Sequence, residues 1–267
     1  MIGRGRIAAA AVVFALVGSA ARAQGMQDMP GMPGMAVSDA LTPAPLVYYG
    51  GQPPVMDNQV YTHALLDQFE ARIGGGNAQF RYDGQAWSGT DTDKLWLKSE
   101  GLVTQNGQFV DGDHEVLYDH AVTTYFDVQA GLRSDLDNGT TRNWAAFGVQ
   151  GLLPYFFDLE ATAYASDGGH FAARLVASYD ILLTNRLILQ PQAELNFYSA
   201  PDPGRGVGAG FSSIDSGLRL RYEITRKFAP YIGIAYEGAY GATARYTRAE
   251  GLQPSDLRLV FGLRLWY

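Results

Sequence analysis

The sequence predicts an all-β fold: a transmembrane outer-membrane β-barrel of about twelve antiparallel strands, behind a disordered, Met-rich N-terminal tail. Three observations carry this. First, the last eleven residues alternate without a break: Leu257, Leu259, Phe261, Leu263, Leu265 and Tyr267 have one parity, and Arg258, Val260, Gly262, Arg264 and Trp266 the other. Side chains alternate faces along a strand, so one face is continuously apolar and the other carries two arginines and an indole. Second, the pattern recurs along the chain in about twelve segments, an even number as in bacterial barrels. Third, a secretory leader opens the chain, and no later segment approaches the roughly 20 apolar residues that a transmembrane helix needs. Closure of a sheet is then the way to satisfy backbone hydrogen bonds in lipid.

Residues 1–23 read as a signal peptide. Arg4 and Arg6 precede the apolar run Ile7 to Val17, and Ala21-Arg22-Ala23 supplies a small-x-small cleavage site. The alternative, an uncleaved anchor helix, meets the objection that the run is too short. Removing Arg4, Arg6 and Arg22 leaves 17 basic against 27 acidic residues, so the net charge passes from −7 to −10. Such a chain is a poor partner for nucleic acid and is compatible with cations. The absence of cysteine removes disulfides, thiolate metal sites and a lipid-anchoring cysteine.

Residues 24–63 form a flexible periplasmic tail rich in Met, Pro and Gly. Met26, Met29, Met32 and Met35 recur at a spacing of three, so four of the six methionines fall within ten residues. Thioethers are soft, uncharged ligands that favour Cu(I), and a flexible chain lets two or three converge on one ion. The alternative reading is a low-complexity linker.

From residue 64 to 267 the strands follow in order. Phe69, Ala71 and Ile73 oppose Gln68, Glu70 and Arg72; after three glycines, Phe80, Tyr82 and Ala86 oppose Arg81, Asp83 and Gln85. Leu95 and Leu97 oppose Lys94, Lys98 and Glu100. The segment His114 to Ala121 is the least regular, because Val116, Leu117 and Tyr118 break the alternation, and a bulge is expected there. Val128, Ala130 and Leu132 then oppose Asp127, Gln129 and Arg133, and Ala145, Phe147 and Val149 oppose Trp144, Ala146 and Gln150. A turn at Leu152 to Tyr155 leads to Phe157, Leu159 and Ala161 against Asp158, Glu160 and Thr162. Ala173, Leu175 and Ala177 oppose Arg174, Val176 and Ser178. In the ninth segment Leu187, Leu189, Leu195 and Phe197 oppose Gln190, Gln192, Glu194 and Asn196, with Pro191 an awkward member because it lacks a ladder donor. After a glycine-rich loop, Leu218, Leu220 and Tyr222 oppose Arg219, Arg221 and Glu223; Ile232, Ile234 and Tyr236 oppose Gly233, Ala235 and Glu237. A longer loop leads to the last strand.

A charge on the lipid face costs up to about 2–4 kcal/mol at midplane, so the charged parity must face the lumen, largely as ion pairs. With both termini periplasmic, the links at Thr104 to Asp111, Ser199 to Gly210 and Ala242 to Ser255 lie outside and are long, whereas the inside links are short.

The four histidines are further metal candidates. His114 and His120 are six residues apart, about 20 Å along a strand, so they cannot share one ion. Each could join acidic neighbours, Asp113 and Glu115 for His114 and Asp119 for His120; the alternative is an ordinary lumen or rim histidine. His170 belongs to an outside loop, and His63, just before the first strand, has Met56 and Asp57 near it. Asp158 and Glu160 fit a lumen ion-pair ladder better than a hydrolytic dyad, and no Ser–His pair or phosphate loop is identifiable, so no enzyme is expected.

Several blocks carry a family resemblance. Asp93 to Gly101 (DKLWLKSEG), Asn143 to Gly151 with Leu153-Pro154-Tyr155, Tyr179 to Pro191, Gly217 to Ile224 and Phe228 to Tyr231 together resemble the copper resistance protein B family of Gram-negative outer membranes. The resemblance runs from about Leu65 to Tyr267, and the tail matches in character while being shorter than many in the family. It implies an outer-membrane barrel in a periplasmic copper-handling system. The expectations are Cu(I) on the methionine tail, Cu(II) at histidine and acidic sites, contact with outer-membrane lipid, and a periplasmic copper protein as partner. The alternative is a structural or small-solute barrel without metal specificity.

Overall fold

Alternating sequence becomes a single antiparallel sheet that closes on itself. The computed structural model describes residues 59–107, 109–137 and 140–267; the expected signal peptide and the methionines of the tail lie outside the described residues. The strands are β1 (Tyr61–Gly74), β2 (Asn77–Gly89), β3 (Asp93–Thr104), β4 (Phe109–Ala121), β5 (Phe126–Asp137), β6 (Thr140–Leu153) and β7 (Phe157–Ser166). They continue as β8 (Phe171–Tyr179), the two-residue β9 (Ile181–Leu182), β10 (Leu187–Tyr198), β11 (Gly210–Tyr222), β12 (Phe228–Ala239) and β13 (Ser255–Trp266). Apart from β8 and β9, which do not pair with each other, each pairs with its sequence neighbours, and β13 returns to pair with β1, which closes the ring. Both β8 and β9 pair with β10, so they are two parts of one stave and the barrel has twelve. The break between them falls opposite Gln190 and Pro191, where the proline has no N–H to donate.

Burial is inverted relative to a water-soluble protein. Glu70, Arg72, Asp119 and Asp135 are buried, whereas Leu132 is 68% and Phe147 61% exposed. Along β13, Leu257, Leu259 and Phe261 face outward while Arg258 and Val260 are buried inside. An apolar band outside and ionised groups inside is the arrangement that a bilayer imposes on a closed sheet.

Three local departures from the sequence reading have physical causes. The register of β1 against β2 shifts between Leu66 and Gln68, so Asp67 is a bulge residue. That extra residue keeps Leu65 and Asp67 on the lumen side before the bulge and Gln68, Glu70 and Arg72 on it afterwards. In β4 the expected bulge at His114 to Ala121 is absent: Asp113 to Ala121 pairs continuously with β5, and Leu117 is an apolar side chain turned into the lumen. The irregularity lies earlier, where the pairing slips between Leu102 and Val103 of β3. Finally, the long link before β13 contains a helix, α1 (Gly241–Ala249).

The end where β1 starts and β13 finishes, the near end, has links of three to five residues. At the far end only two links are long, those joining β10 to β11 and β12 to β13; the expected length asymmetry rests on these two, since the others are as short as the near-end turns.

Candidate functional site

The near half of the lumen holds a cavity of about 480 Å³. Nine carboxylates line it, among them Asp67, Asp83, Asp158 and Asp180, with three cationic side chains, Lys98, Arg174 and Arg264. Four more cations behind the lining, Arg81, Lys94, Arg133 and Arg221, pair with Glu100, Asp127, Asp113 and Asp180, so the excess is carried by Asp83 and Asp158. The β1 bulge contributes Asp67 to it, where Arg264 of β13 donates to the carboxylate at 2.6 Å. Side-chain exposure rises toward the near end, from 14% at Glu100 to 24% at Asp127 and 42% at Asp180, so the cavity is a vestibule that opens that way. An excess of like charge facing one water-filled concavity, with low-dielectric walls, raises the local concentration of cations.

Toward mid-barrel the vestibule ends on a quartet of ions. Arg81 Nη2 of β2 lies 3.3 Å from Glu100 Oε2 of β3 and 3.2 Å from Glu194 Oε2 of β10. Arg174 of β8 donates to the same two oxygens, at 2.7 Å and 3.2 Å. Two guanidinia and two carboxylates thus alternate across the lumen. Beside them Arg72 binds Glu70 at 2.7 Å and Glu237 at 2.8 Å, and Arg219 donates from Nε to Glu70 at 2.9 Å. Tyr231 adds a hydroxyl donor to Glu70 at 2.8 Å, and it fits because Gly262 faces it: a Cβ there would meet the Tyr231 ring at 2.5 Å. Charges this buried persist because each has opposite charge and hydrogen bonds around it.

The near mouth carries an aromatic row. His63 stands 5.9 Å from the Trp87 ring and 5.7 Å from that of Trp266, and Trp96 follows at 6.2 Å from Trp87. Three of the chain's four tryptophans therefore gather at one rim. His63 belongs to β1, which starts at Tyr61, earlier than its pattern suggests. Its Nδ1 donates to the Tyr267 carbonyl at 2.9 Å, which leaves Nε2 with the lone pair.

The structure separates the other histidines from the acidic residues beside them in sequence. Asp113, Glu115 and Asp119 are buried in the lumen, and strict alternation turns His114 and His120 outward. His114 meets Ser99 at 2.9 Å; His120 donates from Nδ1 to Asp93 at 2.8 Å, at the near rim. Neither can join the lumen carboxylates. His170 lies in the link between β7 and β8 at the far end. Among the described residues no three His, Asp or Glu side chains converge closely enough to hold a metal ion. The quartet and the aromatic row escaped the sequence reading, because each joins strands whose proximity depends on ring closure.

Comparison with known proteins follows the same outline. The family described as Copper resistance protein B precursor matches residues 60–267. The Copper resistance protein B homolog of Pseudomonas syringae pv. tomato is 45% identical over 231 residues, 86% of this chain and 78% of that protein. Copper resistance protein B of Escherichia coli is 43% identical over 213 residues, 80% of this chain and 72% of its own. Among solved structures, the NanC porin superposes with a TM-score of 0.49 at 12% identity, covering 74% of this chain and 98% of its own, and the KdgM porin with 0.45 at 11%, covering 77% and 98%.

Proposed function

Because the chain belongs to the copper resistance protein B family, we propose that it serves copper resistance as an outer-membrane barrel that gathers copper ions in its acidic vestibule and holds or passes them there, without catalysis. The single observation that supports this most is the vestibule itself, nine carboxylates around about 480 Å³, of which Asp83 and Asp158 stand outside the ion pairs that hold the other seven. Oxygen donors suit Cu(II) in a hydrated or partly hydrated state, held by field more than by chelation, which agrees with the lack of a converged ligand set among the described residues. In this reading the near end, with its short turns and the start of β1, faces the periplasm, where a copper protein would deliver or receive the ion. Met26, Met29, Met32 and Met35 would take Cu(I). His63 Nε2 and His170 are the histidine ligands compatible with a mouth site, one at each end.

The test is copper binding and copper flux with the full chain in liposomes. Replacing Asp67, Asp83, Asp158 and Asp180 together by Asn should weaken Cu(II) uptake and flatten its dependence on ionic strength. Unchanged uptake would remove the vestibule from the function. Equal behaviour toward copper and magnesium would instead favour a small-solute barrel.

A further inference from the structure

The link between β10 and β11 does not stand away from the barrel; it reaches over the ends of β8 and β7 toward β6 and β5. Its tip is preformed. Asp202 and Val207 exchange backbone hydrogen bonds at 2.7 and 3.0 Å around a single 3₁₀ turn, Pro203–Arg205, closed by Gly206 at φ 70°. From this tip Arg205 Nη2 reaches Asp135 of β5 at 2.9 Å, with side-chain exposures of only 7% and 1%. Asp135 also accepts from Arg133 at 2.6 Å and from the Trp144 indole at 2.7 Å, so it is a fixed receptor for the incoming guanidinium. A second ion pair, Asp202 with Arg142 of β6 at 2.6 Å, holds the other side of the tip. The foot is pinned separately: the Gly208 N–H donates to Thr243 of α1 at 2.8 Å, and a Cβ on Gly208 would meet the Thr243 nitrogen at 2.5 Å.

We propose that residues 199–209 form a hinged strap that shuts the far mouth, latched by Arg205 on Asp135 and by Arg142 on Asp202. The tip is rigid and joins the barrel through Ser199 to Pro201 on one side and Gly208 to Gly210 on the other, so it swings as a unit, and both of its latches are ion pairs that can be made and broken without disturbing a strand ladder. The far half of the lumen is therefore reached from its own end when the strap lifts, whatever solute the vestibule takes. This closure is distinct from the Arg81–Glu100–Arg174–Glu194 quartet, which crosses the lumen at the inner end of the vestibule.

The chain has no cysteine, so one introduced thiol reports alone. Ala172 lines the small cavity bounded by Asp135, Trp144 and Tyr198 beneath the strap, and Ala172→Cys changes little volume there. The experiment measures the rate at which a charged, water-soluble methanethiosulfonate modifies that thiol in the purified full chain, with heat-modifiable gel mobility as the check of folding. With the latches intact modification is slow. Arg205→Ala should accelerate it at least on the order of tenfold to a hundredfold, the effect of losing the charge-assisted hydrogen bond to Asp135, and Arg205→Ala with Arg142→Ala should do so further. Arg205→Lys, which retains the charge, should fall between. Equal rates in the latched and unlatched proteins, both fast or both slow, would overturn the strap. An acceleration by Arg174→Ala with none by Arg205→Ala would also overturn it, since access would then run through the quartet.

Discussion

Arg174 on β8 donates to Glu100 on β3 at 2.7 Å, although these strands stand five places apart on a ring of twelve. Arg81 on β2 and Glu194 on β10, also five places apart, meet at 3.2 Å. The quartet ties opposite walls of the barrel together, so the lumen is crossed by ion pairs rather than merely lined by them.

Removing one member should therefore cost much more than removing two. Glu100→Gln leaves Arg81 and Arg174 sharing Glu194, with Asp215 the other carboxylate on Arg81, and a loss of about 3–5 kcal/mol is expected for a broken buried pair. Adding Arg174→Met to Glu100→Gln should recover part of that loss. Urea unfolding in lipid vesicles, followed by tryptophan fluorescence, measures both; strictly additive losses would show that the cross-lumen bonds are energetically idle.

Lipid contact predicts a depth-dependent penalty. Leu132 sits mid-strand on β5 and is 68% exposed, so Leu132→Arg should cost about 2–4 kcal/mol in a bilayer. Tyr125 lies in the near-end link between β4 and β5, and Tyr125→Arg should cost no more than about 1 kcal/mol. The two unfolding free energies, compared in the same vesicles, decide whether that face meets acyl chains.

Close approach at Gly262 is equally testable. Gly262→Ala should push the Tyr231 ring off Glu70, with a loss of about 1–3 kcal/mol by overpacking. Thermal unfolding of the variant in detergent reads this, and an unchanged midpoint would mean that the ring has room to move.

A stabilising substitution is available at the link between β6 and β7. Phe156 N–H donates to the Leu153 carbonyl at 3.1 Å, and Tyr155, at the third position of this turn behind Pro154, has φ 69°. Glycine is the residue that such a turn favours, and a side chain there carries strain of about 1–2 kcal/mol. Tyr155 is 82% exposed, so little packing is lost. Tyr155→Gly should raise the unfolding midpoint in detergent; a lower midpoint would mean that the ring's interfacial contacts outweigh the strain.

All of the staves but β4 were legible from a period-two pattern written locally, and Leu257 to Tyr267 shows why: a shift by one residue would put Arg258 and Arg264 in lipid. The helix α1 was not legible, since its nine residues start and end near Gly241 and Gly251 and are held by tertiary contacts such as Thr243 to Ser212 at 2.8 Å. In β4 the apolar Leu117 looked like a break in alternation. It is an inward residue packed with Trp144 and Tyr164, a grouping visible only once β4, β6 and β7 stand in one wall. The histidines are the sharpest lesson about the candidate site. Asp113 and Glu115 adjoin His114 in sequence yet lie on the opposite side of the sheet, because neighbours on a strand never share a face.

The order of amino acids by itself determined which side chains meet lipid and which meet the lumen, because that choice is made one strand at a time by the cost of placing charge in hydrocarbon. It also determined the number of staves and the family blocks along them. Only the closed ring decided which lumen charges neutralise each other, where carboxylates remain in excess as a vestibule, and that the link after β10 lies across the far mouth. Those outcomes depend on distances between strands far apart in the chain, which no local pattern encodes.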